Sequence, residues 1–236
     1  MWKGEEKYDR RIGDSSVSEL SHSLTLILWS SNSIFIQKNK KILLRWNMRI
    51  IAGKHKSRKL NTLEGLNTRP MTDRMKESVF NTIGPYFDDD VVLDLFGGSG
   101  ALSLESISRG ASKAYIVEKN FEAAKIIKSN VEALKEQSSV VLYQLDYKVA
   151  LKKLASDSKT FDIIFLDPPY RMNIVEEIIE FIKEHNMLNE NGIIVCQYVR
   201  GNYQPKEDDY LTIIKNYTLA SSEVCIYQGN IVESNW

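Results

Sequence analysis

From Met48 onward, the apolar residues of this chain fall into two kinds of segment that alternate. Short, β-branched runs at Val91–Leu95, Lys113–Val117, Val140–Gln144, Phe161–Leu166 and Gly192–Gln197 read as buried strands. Between them, segments near 101–109, 121–136, 146–155 and 174–185 carry apolar residues at helical spacing. Such alternation predicts right-handed βαβ crossovers and a mostly parallel, doubly wound α/β sheet. The tail breaks the rhythm. Leu211–Tyr217 and Glu223–Tyr227 are strand-like, and the short linker between them leaves no room for a helix, so an antiparallel hairpin is expected at the sheet edge. Ahead of the first strand, Arg49–Ala52 and Arg58–Asn61 flank Gly53–Ser57 and are expected to pair as a small basic hairpin. Thr72 or Asp73 then caps a helix running to about Thr82, with Met75, Val79, Phe80 and Ile83 on one side.

Residues 1–47 do not follow this pattern. They are rich in Ser and Asn, and their one apolar run, Leu24–Trp29 extended by Ile34–Ile36, is too short and interrupted to span a membrane. It is also a poor secretory signal, because the charges ahead of it are mixed and no small-residue cleavage site follows. The segment is therefore read as a non-native or disordered extension, with Met48 as the natural start and a cytoplasmic protein as the product. A hydrophobic fraction of 43% with 26% charged residues describes an ordinary globular chain. Cys196 and Cys225 lie in apolar runs without metal-ligand spacing and are expected to be buried free thiols. The three histidines are scattered, so no metal is expected.

Charge sharpens the picture. The net charge is zero, yet residues 48–76 hold eight Lys and Arg against Glu64 and Asp73, while residues 77–236 carry an acidic excess. A basic module on an acidic body suggests that a polyanion is gripped at one end. Lys54, His55, Lys56, Arg58 and Lys59, with Arg69 and Arg74, are the candidate phosphate-binding residues. Arg69 and Arg74 have a second reading, ordering a loop over a ligand.

The candidate chemistry sits at the strand ends. Strand one runs into Phe96-Gly97-Gly98-Ser99-Gly100, a turn that lets backbone approach a ligand ahead of a helix N-terminus. Asp94 at that strand end would repel a dinucleotide phosphate and suits a ligand with a cation or amine, such as S-adenosylmethionine. Glu118 ends strand two, where an acid can bind ribose hydroxyls. Asp146 follows strand three, where it can accept from an adenine amino group or simply cap the next helix. Asp167-Pro168-Pro169-Tyr170 follows strand four. Two prolines there remove two N–H donors and stiffen the backbone, leaving carbonyls free to accept. An acid, rigid acceptors and an aromatic face suit a planar group bearing NH2. Each acid alone has an ordinary explanation, as a turn, a cap or a solvated strand end. Four on successive strand ends point to one site.

At these residues the chain resembles the RsmD family of bacterial rRNA guanine-N2 methyltransferases. The matching stretches are Met48–Lys54, Thr68–Glu77, Leu93–Leu102, Ser108–Ala111 and Asp167–Tyr170, with the Arg69–Arg74 run discriminating, since the tetrapeptide occurs in other amino-methylating enzymes. The resemblance implies a Rossmann-like class I methyltransferase fold over 85–236, an RNA-binding element over 48–84, S-adenosylmethionine as cofactor, and a monomer. It implies a guanine N2 in 16S rRNA of the small subunit as target, position 966 in the family's numbering. The chain departs from the family at Gln197, where an acid is usual, and at the Tyr217–Ser222 turn. A DNA adenine-N6 methyltransferase and a non-catalytic cofactor- or RNA-binding scaffold are the alternatives. The first lacks a stretch large enough for a DNA-recognition domain.

Overall fold

Seven strands form a single sheet in the computed structural model, which describes residues 48–62, 71–169 and 172–230. The strands are β1 (Val91–Asp94), β2 (Lys113–Val117), β3 (Val140–Tyr143), β4 (Phe161–Leu166), β5 (Leu188–Val199), β6 (Leu211–Thr218) and β7 (Ser222–Gly229), in the order β3-β2-β1-β4-β5-β7-β6. β1 to β5 run parallel, and β7 lies antiparallel between β5 and the edge strand β6. The described helices are α1 (Asp73–Ile83), α2 (Ala101–Arg109), α3 (Phe121–Leu134), α4 (Tyr147–Ser156) and α5 (Val175–Glu184). Fold class and the C-terminal hairpin agree with the alternation in the sequence.

Side chains leave successive strand residues on opposite faces, so each buried strand serves two cores. Leu93, Ile164, Ile194 and Cys225 join α4 and α5 on one face. Val92, Ile163, Phe165, Val195 and Val224 join α1, α2 and α3 on the other. Cys196 and Cys225 are cross-strand neighbours and both are buried free thiols. No helix among the described residues is long and apolar enough to cross a membrane.

Two elements differ from expectation. β5 begins at Leu188, four residues before Gly192, because a register shift between Phe161 and Ile163 lets the polar Asn189-Glu190-Asn191 triplet join the strand. The basic hairpin is short, with one bridge, Arg49 to Lys59. The reason lies in where its donors go. Ile51 N and Ala52 N donate to the Glu105 carboxylate at 2.7 and 3.0 Å, Lys54 N to the Ser108 carbonyl, and His55 N to Ser108 Oγ. Those acceptors lie on α2, so the segment is bonded to the body of the fold as well as to itself, where Ile50 N donates to the Arg58 carbonyl, Ser57 N to that of Ile50 and Leu60 N to that of Met48. Ile50 and Leu60 are buried in the same core as Val79 and Phe80.

Glu105 is the centre of this attachment. It is fully buried, with Arg109 Nε at 2.9 Å and Lys76 Nζ at 3.4 Å. Lys76 also donates to the Arg49 carbonyl at 2.6 Å, and burial pushes its ammonium below the usual lysine range despite Glu105. Arg109 donates to the Pro85 carbonyl and lies 4.7 Å over the Phe80 ring. Thr72, not Asp73, caps α1, accepting from Met75 N at 3.2 Å.

Candidate active site

The sheet order places β1 between β2 and β4, so the connections leaving β1 and β4 diverge and open a crevice at their carboxyl ends. Asp94 ends β1 opposite Phe165, and Asp167 follows β4 directly. The two carboxyls therefore flank the switch point. Asp94 is buried and accepts from Ser103 Oγ at 3.0 Å and Phe96 N at 3.3 Å. Burial nevertheless lifts its pKa to about 6, with Glu118 adding repulsion. Asp167 is half-buried, and lost hydration, then repulsion from Asp94, lifts it to about 7. Among the described residues no cation offsets this acid pair, and an arrangement of that kind suits a cationic ligand.

The raised pKa values have a consequence for stability. Both groups ordinarily titrate at 3.8, so the folded state binds more protons than the unfolded chain from about pH 4 to about pH 7. The stability they contribute is complete below pH 4 and is lost as pH rises through 6 and 7. Glu136, Asp146 and Asp208 sit below their ordinary values of 4.5 and 3.8 and act in the opposite sense only at more acid pH. The urea midpoint of the ligand-free protein is expected to be higher at pH 5 than at pH 8. Equal midpoints would show that the two acids are not desolvated together.

The glycine turn is closed on one side and open on the other. A Cβ on Gly97 would lie 2.3 Å from Ile116 Cγ2, so that residue packs against β2. Gly98, at φ +56, would place a Cβ no nearer than 4.0 Å to anything, which leaves an open cradle. Gly98 N donates to Glu118 Oε2 at 2.8 Å, while Glu118 Oε1 accepts from Asn120 N at 2.7 Å. Gly100, at φ +78, begins α2 with no side-chain cap, and Phe96 packs on Tyr147 with ring centroids 5.5 Å apart.

The remaining sequence candidates divide. Asp146 caps α4 by accepting from Lys148 N, and Lys119 pairs with its second oxygen at 3.0 Å, the main reason that its carboxyl stays below the usual range. Pro168 is buried, and the exposed Pro169 offers its carbonyl to Met172 N at 2.9 Å. Tyr170 and Arg69 lie outside the described residues, as does the whole of 1–47. In the basic strip, Lys54 Nζ and His55 Nε2 both meet Glu136 Oε1, at 2.7 and 2.6 Å, and Arg58 donates to the Ala133 carbonyl. Lys56, Lys59 and Arg74 are exposed. Part of the strip is therefore anchored to the end of α3 while the rest faces water.

Sequence reading missed Ser103, Glu105 and Asn130, all buried and all bonded to the site or its attachments. A signal existed for each. All three sit within helices whose neighbouring positions carry the buried apolar faces, and a polar residue in such a place needs a partner.

A family model described as conserved hypothetical protein 95 matches residues 48–228. The Bacillus subtilis protein YlbH is 39% identical over 181 residues, covering 77% of this chain and 98% of its own length. Ribosomal RNA small subunit methyltransferase D of Haemophilus influenzae is 37% identical, covering 73% of this chain and 86% of its own. The solved structure of Escherichia coli yhhF is 30% identical with a TM-score of 0.68, covering 77% of this chain and 97% of its own.

Proposed function

The chain belongs to the RsmD family, and from that premise we propose that it methylates the exocyclic N2 of a guanine in small-subunit (16S) ribosomal RNA with S-adenosylmethionine as methyl donor. The observation that carries this reading is the pair of desolvated acids, Asp94 and Asp167, on either side of the switch point. The residues fit the cofactor. Asp94 and Asp167 suit a cation, Glu118 has oxygens at the mouth of the crevice, and the open side of Gly98 admits a ligand against backbone. The cofactor supplies a methyl group already activated on sulfonium, so the protein's work is positioning and charge placement.

Guanine N2 is a poor nucleophile because its lone pair is delocalised into the ring. Hydrogen bonds from N2–H to the Asp167 carboxylate and the Pro168 carbonyl favour rehybridisation and aim the lone pair. Tyr170 stacks on the flipped base, a contact worth about 1–3 kcal/mol. Pro169 keeps the loop stiff. The departing proton passes to Asp167 or to water. Asp146, with Lys119 beside it, would face the adenine of the bound cofactor. Lys56, Lys59 and Arg74, with Lys54, His55, Arg58 and Arg69, hold RNA phosphates without reading sequence.

Labelled S-adenosylmethionine offered with unmodified small subunits, naked 16S rRNA and duplex DNA tests this directly. The expected product is N2-methylguanosine in the RNA, identified by nucleoside mass spectrometry. N6-methyladenosine in the DNA, or no transfer at all, rejects the reading. RNA affinity is expected to fall about 10³–10⁵-fold between 50 and 200 mM salt if six or more phosphates are gripped. An affinity insensitive to salt removes the strip from the account.

A further inference from the structure

Asn130 lies on α3, between the buried Ile127 and Leu134 and beside Val131, with only 1% of its surface exposed. An aliphatic side chain would suit that face. The asparagine instead bonds two separate segments of the chain. Its Nδ2 donates to the Ser99 carbonyl at 2.9 Å and to the Asn61 carbonyl at 3.0 Å, while its Oδ1 accepts from Asn61 N at 2.8 Å. Ser99 belongs to the glycine turn, and Asn61 continues directly from the basic strip. A second link runs alongside, with Ser99 Oγ donating to Met48 Sδ at 3.6 Å. On its far side the turn is held by Glu118 through Gly98 N.

We propose that Asn130 is a positioning residue that couples the basic segment 48–62 to the cofactor turn, so that RNA on the one and S-adenosylmethionine on the other tighten each other. The proposal rests on the reading of the site given above and adds a linkage to it. Both hydrogens of the amide are engaged, and the Asn130 side chain is buried. Shifting either segment alone would leave a buried donor or carbonyl unpaired, which is costly in a low-dielectric interior. The two segments therefore move together or not at all. A ligand that orders one lowers the ordering cost for the other, and linkage makes the effect reciprocal.

The decisive measurement uses the full chain and S-adenosylhomocysteine, which carries no methyl group to transfer. Amide hydrogen exchange at Asn61, on the opposite side of Asn130 from the turn, is expected to slow by about fivefold or more when that ligand binds. Unchanged exchange at Asn61 overturns the proposal. A second arm reads the reverse direction. Calorimetry of S-adenosylhomocysteine with and without naked 16S rRNA is expected to show tightening by about 5–150-fold in the native chain. Asn130→Asp keeps the acceptor for Asn61 N but loses both donors, and is expected to lose most of that tightening. Asn61→Ala keeps the backbone contacts to Asn130, giving up only a side-chain bond to Ser129, and should retain it. Equal tightening in Asn130→Asp, or none in the native chain, overturns the proposal. If Asn130→Asp does not fold, the exchange experiment on the native chain decides. Failure to bind either cofactor form at all rejects the proposed function. Binding and rRNA methylation with silent Asn61 exchange reject the coupling alone.

Discussion

Asp167→Ala is expected to lower turnover by about 10²–10⁴-fold while S-adenosylmethionine still binds. The proposed role of Asp167 is toward the amine of the base, where its carboxylate accepts and aims. The glycine turn, Glu118 and Asp94 stay in place without it. Cofactor binding should therefore persist, held by Asp94, Glu118 and the glycine turn, as the chemical step fails. Single-turnover methylation measured beside calorimetric titration separates the two. Asp167→Asn refines the result, because it keeps an acceptor oxygen and loses the charge. Full activity in Asp167→Ala would remove the residue from the chemistry.

Glu105→Ala is expected to destabilise the protein by about 3–5 kcal/mol, because it leaves two buried cations without their anion. Lys76 is 2% and Arg109 4% exposed, and neither can reach water without moving α1 or α2. The same change orphans the N–H groups of Ile51 and Ala52. At about 2–4 °C per kcal/mol for a domain of this size, the thermal midpoint should fall by roughly 6–20 °C. Combining Glu105→Leu with Lys76→Met should recover part of the loss, since one of the two uncompensated cations goes with the anion while Arg109 remains. A midpoint within about 2 °C of the native protein would mean the cluster is solvated or rearranges freely.

Much of this molecule was legible in its sequence. β2 and β4 begin and end where hydrophobic runs do, because strands buried on both faces admit few polar residues. The four strand-end acids were read together because a parallel sheet brings successive strand ends to the same side, and the structure sets Asp94 close enough to both Glu118 and Asp167 for mutual repulsion. What escaped notice follows from long-range bonding. The basic hairpin is short because its donors find acceptors more than fifty residues away, a distance that local pattern does not encode. Asp146 is bonded as a helix cap, one of two roles its position allowed. Glu105 and Asn130 were hidden within apolar helix faces. Their purpose emerges only when residues 48–62 are seen lying across α2 and α3.

That attachment also sets an order of assembly. Residues 48–62 leave the ribosome before α2 and α3 exist, and the acceptors for Ile51, Ala52 and His55 are made 53 or 54 residues later. Until α2 forms, the strip has only its own few hairpin bonds and lacks the acceptors that fix it to the body of the fold. Its geometry is acquired only when the catalytic half has folded beneath it. A nascent or truncated chain thus lacks the finished arrangement of this strip, which is made early and shaped late.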